Sequence, residues 1–290
     1  MRPSIQLIGP RPAKIGELAV KAEAAGFEAA GLPSPYGFYT GMGVLAEATN
    51  EILLASSILP LFHASPYMHA ASSIMMQEVT NGRFILGVGS QTKGQVRTQV
   101  GIDPESPAKM ARDMVLAIQS LMNGEGHYEG EYYKLNTGPR LVIHATGKKP
   151  PPIYFSGVNA LMLGLSGELC DGMLAHPIFS KKDFEDVVWP LVDKGLKKSN
   201  KQRDDFKMCA LPMIWVLGEG TDRAEAYSRG KRNLANYFST KAYSGYMDSH
   251  GWSKEKDQIR EVWLDAMKSG KPIDGDMMED ILSEDIVDEV

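Results

Sequence analysis

The side chains of this chain that could do chemistry come directly after short apolar runs. Ser90 and Gln91 follow the run at residues 84–88, and His176 follows the run at 173–175. A histidine in such a place can donate a hydrogen bond or act as an acid, and a hydrogen-bonded structural histidine is an equal alternative. For the serine and the glutamine the alternative is ordinary loop polarity.

A second candidate group is the sequence Ser156, Gly157, Val158 and Asn159, which lies between an apolar run and a helical pattern. Free backbone N–H groups and the helix dipole favour an anion at a helix N-terminus, so these amides could bind a phosphate. The simpler interpretation is that Asn159 or Ser156 caps the helix, and both functions can coexist.

The elements that must position these groups begin with one βαβ unit. Apolar runs at 52–60 and 84–88 flank a helical pattern at 66–79, which predicts two parallel strands joined by a helix. Gly87 and Gly89 leave the backbone bare where a ligand could approach closely.

The same pattern continues along the chain and predicts an α/β protein. Apolar runs predict seven strands, at residues 5–9, 28–32, 52–60, 84–88, 153–156, 172–176 and 207–217. Other patterns predict helices at 15–25, 44–49, 66–79, 110–123, 159–169, 184–199, 221–250 and 281–290, a hairpin near residue 130, and loops at 91–109 and 270–280. A closed barrel of this kind needs eight strands, and the eighth is not evident. A truncated chain or an open seven-strand variant would each explain this.

Composition excludes several classes of protein. The chain has 290 residues, a net charge of −5 and 43% apolar residues, with acidic and basic residues well mixed. A nucleic-acid partner would require a basic patch, and a membrane span would require about 18 consecutive apolar residues. Metal-binding and nucleophile-elbow motifs are missing. Cys170 and Cys209 have no motif spacing. We therefore expect a cytoplasmic protein that acts on a small molecule without a metal.

The order of the motifs resembles that of the bacterial luciferase-like family. The segments that carry the resemblance read ILLASSILPL, HASP, MMQEVTNGRFILGVGS, HYEGEYYKL and PPIYFSGVNALMLGLSGELCDGML. This family contains flavin-dependent monooxygenases and oxidoreductases that use the deazaflavin coenzyme F420. The resemblance covers roughly residues 4 to 240 and implies a TIM (β/α)8 barrel. We expect one domain over 1–290, with 270–290 as a loop or mobile tail.

The resemblance also implies roles for particular residues. Ser56, Ser57 and Ile58 correspond to a bulge that supports the cofactor ring, with a non-proline cis peptide bond between Ser57 and Ile58. From the residues alone, an ordinary strand would be the preferred interpretation, because such bonds are rare. The phosphate would bind at residues 156–159, although Leu161 stands where the family often has a basic residue.

The reacting edge of the cofactor is expected to face His176 and Ser90, with Gln91 binding the cofactor and Tyr36 as a further pocket candidate. Some deazaflavin dehydrogenases of this fold carry a proton-relay histidine and glutamate. Pro35 and Ser90 or Gln91 stand at those places here, which disfavours that relay.

The expected function is hydride transfer between coenzyme F420 and an organic substrate. Alternatives are an FMN-dependent monooxygenase and a non-catalytic cofactor-binding barrel, and a metal-dependent hydrolase is disfavoured by the missing motifs. The resemblance implies a homodimer formed by helices near 45–50 and 66–79, where Met75 and Met76 could lie in the interface or in the core. The region around His63 is expected to be a solvated loop, and His250 is expected at the surface.

Overall fold

The apolar runs of the sequence form short parallel strands. The computed structural model describes residues 3–7, 12–34, 37, 39–138, 149–218, 220, 222–270 and 280–290. Its strands are β1 (Ile5–Gln6), β2 (Ala29–Leu32), β3 (Leu53–Ser56), β4 (Leu59–Pro60), β5 (Phe84–Gly89), β6 (His127–Glu129), β7 (Lys134–Asn136), β8 (Ile153–Ser156), β9 (Gly172–Leu174) and β10 (Lys207–Cys209). The predicted strand at 5–9 extends beyond the described part of the chain.

Seven of these strands form the path of one parallel sheet. The hydrogen-bonded order is β1-β2-β3-β5-β8-β9-β10, and β4 also pairs with β5. Strands β6 and β7 form a separate antiparallel hairpin around residue 130, as predicted. Within the described ranges no further strand joins the path, in agreement with the sequence pattern.

Two strands of the sheet approach each other closely enough to require a glycine. A Cβ atom added at Gly87 would lie 1.9 Å from the carbonyl oxygen of Ser56. Every residue of β5 is buried, which explains its continuous apolar run.

The helices alternate with the strands through most of the chain. They are α1 (Pro12–Ala24), α2 (Tyr39–Ala48), α3 (Pro66–Val79), α4 (Lys93–Gln99), α5 (Pro107–Met122), α6 (Ala160–Leu169), α7 (Lys181–Asp183), α8 (Trp189–Lys198), α9 (Arg223–Phe238), α10 (Ser244–Ser249), α11 (Ser253–Ser269) and α12 (Glu284–Glu289). One π-helical turn, Phe184–Val188, connects α7 to α8.

Helix α3 has the predicted bounds because both of its ends are encoded locally. The Ser65 side chain accepts a hydrogen bond from the Met68 amide, and Pro66 occupies the first helical position. After the helix, Asn81 and Gly82 have φ angles of 54° and 89°. Asparagine and glycine tolerate this left-handed region, so the chain can turn directly into β5.

Several predictions were wrong in position or extent. The loop predicted at 91–109 contains α4, whose capping box is formed by Thr92 and Gln95. Val96 is the only buried residue of that helix, so the sequence has no apolar stripe there. The strand predicted at 207–217 ends at Cys209, and the helix predicted from residue 44 begins at Tyr39.

Helix α11 has no counterpart in the sequence prediction. It spans 17 residues, and Ile259 is its one residue with a buried side chain. Ile259, Val262, Trp263 and Met267 nevertheless recur at helical spacing, so the sequence carries an apolar stripe that the prediction did not use. The predicted loop at 270–280 falls mainly on residues outside the described part of the chain.

Charged side chains hold the amino ends of two central strands. Arg83, just before β5, donates to the carbonyl oxygens of Ile52 at 2.7 Å and Thr49 at 2.8 Å. The Glu23 carboxylate accepts three backbone N–H groups at residues 50–52. Burial would raise the pKa of Glu23, but these donors outweigh it and the pKa is lowered.

The chain divides into two units that are each internally compact. The first comprises Met1–Ala175 and Val187–Cys209, and the second comprises His176–Asp186 and Ala210–Val290. The strand path lies in the first unit. The expectation of one domain over 1–290 stays a prediction. Among the described residues, no helix is long and apolar enough to cross a membrane.

Candidate functional site

The break between β3 and β4 contains the peptide bond that the family resemblance implied. The bond between Ser57 and Ile58 is cis, so that expectation is confirmed. Gln6 donates from Nε2 to the Ser57 carbonyl oxygen at 2.8 Å and to its Oγ at 3.2 Å. Ser57 is buried and Ile58 is half-buried. Their contact with a cofactor ring stays a prediction.

Ser56, the other residue predicted in this bulge, uses its hydroxyl within the sheet. Its Oγ donates to the Gly87 carbonyl oxygen and accepts from the Gly87 amide, both at 2.9 Å. The residue has no exposed surface. The hydroxyl therefore joins β3 to β5 and is already occupied.

The carboxyl ends of β4, β5 and β8 meet around Gly89. A Cβ atom added at Gly89 would lie 3.0 Å from both the Ile58 Cδ1 atom and the Ser156 carbonyl oxygen. The structure therefore brings together Ile58, Gly89 and Ser156, which were predicted from separate parts of the sequence. Ser90 follows directly, half-buried, and its Oγ donates to the Gln91 carbonyl oxygen at 3.2 Å.

Gln91 has two unusual features at this strand end. Its φ angle is 57°, in the left-handed region that residues with a side chain seldom adopt. Its side-chain oxygen Oε1 is buried and has no hydrogen-bond partner within the described part of the chain. A buried acceptor without a donor costs free energy and calls for an explanation.

The end of β8 leads into helix α6 through the predicted turn. Asn159 caps the helix by accepting from the Met162 amide at 3.1 Å, so the capping prediction is confirmed. A Cβ atom at Gly157 would lie 2.4 Å from the Met162 Cβ, so the turn requires a glycine. The first amides of a helix have no intrahelical acceptor, which leaves the α6 terminus suited to an anion. Leu161 is 72% exposed, and phosphate binding at 156–159, including Val158, stays a prediction.

His176 follows β9 in the chain and belongs to the second unit. Its Nδ1 accepts from the Ile178 amide at 3.4 Å, so in the neutral ring Nε2 carries the proton and donates to the Tyr243 hydroxyl at 3.0 Å. The ring also packs edge-on against Tyr237. Burial lowers the pKa of His176 to about 4, so the ring is uncharged near neutral pH. Its catalytic role stays a prediction.

One histidine of the helix predicted at 66–79 is fully buried. His69 lies on α3 with no exposed surface. Its Nε2 donates to the Leu61 carbonyl oxygen at 3.0 Å, and its Nδ1 accepts from the Tyr39 hydroxyl at 3.1 Å. Burial lowers the pKa of His69. The signal that could have revealed this is its position beside Ala70 and Ser73 on the apolar face of α3.

His250, which we expected at the surface, instead has a largely buried side chain between two carboxylates of the second unit. Its Nε2 is 2.9 Å from Asp183 Oδ1 and its Nδ1 is 2.8 Å from Glu289 Oε1, while its side chain is 8% exposed. Both nitrogens can donate only when the ring carries two protons. No local sequence pattern reveals this contact, because the three residues are far apart in the chain. Tyr36, another candidate, lies outside the described residues.

Comparison with known proteins assigns the family. A model of the luciferase-like monooxygenase family matches residues 2–283. The chain belongs to this family. A 5,10-methylenetetrahydromethanopterin reductase of Archaeoglobus fulgidus is 32% identical to this luciferase-like chain over 263 residues, which cover 86% of the chain and 73% of that protein. An uncharacterised protein of Mycobacterium tuberculosis is 27% identical over 224 residues, 75% of this chain and 66% of its own length.

A solved structure confirms the fold of this luciferase-like protein. The coenzyme F420-dependent tetrahydromethanopterin reductase of Methanopyrus kandleri superimposes with a TM-score of 0.80 and 23% identity, over 99% of this chain and 84% of that one. The predicted α/β barrel of the luciferase-like type is therefore confirmed as the fold class. The parallel path of seven strands is the part of that fold that the described residues form.

Proposed function

We propose that this protein is an oxidoreductase that transfers a hydride between coenzyme F420 and an organic substrate. The observation that carries the proposal is the meeting of Ile58, Gly89 and Ser156 at the carboxyl ends of neighbouring parallel strands. Function in this fold resides at those strand ends. The similarity to reductases, one of them F420-dependent, supports the same chemistry.

The residues of this chain fit a deazaflavin in three respects. The Ile58 side chain, 3.0 Å from where a Cβ of Gly89 would lie, offers an apolar surface for one ring face. The buried Oε1 of Gln91 offers an acceptor without a donor. The N-terminus of α6, after Gly157, offers backbone amides for a phosphate. When bound, the deazaflavin supplies the ring carbon that carries the hydride.

The protein's own contribution is to bind, orient and exclude water. We propose that Ser57 and Ile58 support the ring, that Gly157, Val158 and Asn159 bind the phosphate, and that Ser90 faces the reacting edge. Because Leu161 is not basic, phosphate binding there rests on amides. His176 is neutral near pH 7 and its Nε2 already donates to the Tyr243 hydroxyl, so in this proposal it does not act as an acid.

The proposal is tested by titrating the purified protein with F420 and, in parallel, with FMN, while following fluorescence quenching. Saturable binding of F420 alone, followed by oxidation of reduced F420 in a screen of organic substrates, is the expected result. Preference for FMN would favour the alternative monooxygenase, for which the family description is the supporting observation. Tight F420 binding without turnover on any substrate would favour a non-catalytic cofactor-binding protein.

We also propose that the protein forms a homodimer through helix α3. Three of its apolar side chains are largely exposed: Met68 at 52%, Met75 at 61% and Val79 at 56%. Met76, the alternative considered from the sequence, is buried in the core. Light scattering on wild type and on Met75→Glu tests this. Wild type should have twice the mass of one chain and the variant the mass of one chain.

A further inference from the structure

The side chain of Gln91 is kept in the protein at a conformational cost. Within the described residues, the non-glycine residues with positive φ are Asn81, Gln91 and Asn200. Asparagine tolerates the left-handed region because its short side chain can bond to the local backbone, whereas glutamine lacks that advantage. Glycine would adopt the same φ angle without strain. A glutamine at this position therefore needs a compensating role.

The buried oxygen of the same side chain shows what that role requires. Oε1 has no partner among the described residues, and an amide oxygen can only accept hydrogen bonds. The residue follows Ser90 at the carboxyl end of β5, where ligands bind in parallel α/β sheets. An N–H or O–H group of a bound molecule would supply the donor that Oε1 lacks.

We propose that Gln91 is a recognition residue whose Oε1 accepts a hydrogen bond from a planar heterocycle that carries a ring N–H beside a carbonyl. The inference rests on the proposed function, because that function supplies such a molecule. The donor can belong to the deazaflavin ring or to a heterocyclic substrate, and both have the same chemistry at this atom.

Two variants separate recognition from structure. Gln91→Gly removes the side chain and relieves the positive φ angle, and Gln91→Met keeps the length of the side chain but removes the acceptor. In the free protein, both should unfold in urea at a midpoint no lower than that of wild type, because no internal hydrogen bond is lost. A clearly lower midpoint for both would mean that Oε1 has an internal partner, and the proposal would be overturned.

Ligand binding then identifies the donor. If the deazaflavin is the donor, both variants should bind F420 at least ten-fold more weakly in fluorescence titrations without substrate. If the substrate is the donor, F420 binding should stay unchanged and KM should rise at least ten-fold. Gln91→Glu keeps an acceptor oxygen and should recover part of either loss.

The two proposals can fail separately. A wild type that binds neither F420 nor FMN would overturn the proposed function and this inference with it. A wild type that binds F420 and turns over, with variants that match it in both affinity and KM, would leave the function standing and overturn the role of Gln91.

Discussion

The segments that follow β5 and β9 differ in how completely their polar groups are bonded. After β9, His176 bonds to Tyr243, and the Tyr246 hydroxyl donates to the Ile178 carbonyl oxygen. At the end of that segment Asp183 is bonded to His250. After β5, the Ser90 hydroxyl bonds only to its neighbour's carbonyl, and the Gln91 side-chain oxygen has no partner in the described ranges.

This difference separates anchoring from recognition. Where every polar group has a protein partner, the contact fixes the chain, and a ligand would have to displace bonds to enter. Where an acceptor lacks a partner, a ligand can gain a bond without displacing one. The segment after β5 is thus the better candidate for contact with a ligand, and the segment after β9 is the better candidate for stability.

The largest expected effect on the free energy of unfolding is in the segment after β9. Asp183 accepts from the Ser180 amide at 2.8 Å, the Ser180 hydroxyl at 2.7 Å and His250. Asp183→Ala should lower the free energy of unfolding by about 3–5 kcal/mol in urea titrations, because it leaves the buried donors of Ser180 and the Nε2 of His250 without an acceptor. The exposed Asp186→Ala is the matched control and should change it by less than about 0.5 kcal/mol. Equal losses of stability in the two variants would mean that the bonds of Asp183 do not anchor the segment after β9.

The next effect is an acid sensitivity carried by His176. Its pKa is about 4 in the folded protein and about 6.5 when unfolded, so the unfolded chain binds the extra proton between these values. Stability should therefore fall as pH drops from about 6.5 to about 4. His69 contributes in the same direction. Urea titrations at pH 7 and 4.5 should show wild type losing about 2 kcal/mol more than His176→Gln. Identical losses in the two proteins would mean that folding does not lower the pKa of His176.

A smaller effect is expected at the strand end beside Ile58. Gly89→Ala places a Cβ 3.0 Å from the Ser156 carbonyl oxygen, which should destabilise the protein by about 1–2 kcal/mol and weaken cofactor binding. Gly43→Ala is the control, because nothing lies within 4 Å of its Cβ inside helix α2. That change should stabilise by about 0.5–1 kcal/mol and leave binding unchanged. If Gly89→Ala and Gly43→Ala bind the cofactor equally well, the cofactor ring does not lie beside Gly89.

The smallest effect on stability is expected at Ser90. Its hydroxyl bonds only to the adjacent carbonyl, so Ser90→Ala should change the free energy of unfolding by less than about 0.5 kcal/mol. Turnover should nevertheless fall by about ten-fold or more if the hydroxyl contacts the reacting edge. Denaturant titration and steady-state kinetics on one preparation check both. Unchanged turnover would leave Ser90 without a catalytic role.

The strongest local sequence signals predicted the bounds of individual strands and helices correctly. Strand β8 and helix α3 have the predicted bounds, because a buried strand is a continuous apolar run and a capped helix carries its own start and stop. Asn159 was identified as a cap from its position alone. Helix α4 was missed because it buries a single side chain, and helix α11 was missed although Ile259, Val262 and Met267 follow a helical spacing.

The candidate site was only partly predictable for a different reason. The residues at strand ends follow from chain order, so Ile58, Gly89 and Ser156 could be grouped before their contacts were known. The unsatisfied oxygen of Gln91 and the pairing of Asp183 with His250 depend on how distant segments meet. A single sequence contains no local pattern for such contacts.

The charged groups at the other edge of the sheet have a consequence for engineering. Arg83 and Glu23 secure residues just before β3 and β5, so the frame is held at the amino ends of strands whose carboxyl ends carry Ser57 and Gln91. The contacts that stabilise the sheet therefore lie at the amino ends of its strands, and the proposed binding residues lie at the carboxyl ends. Libraries that randomise the loop after β5 should retain folded members at high frequency, so new substrate preferences could be selected without first adding stability.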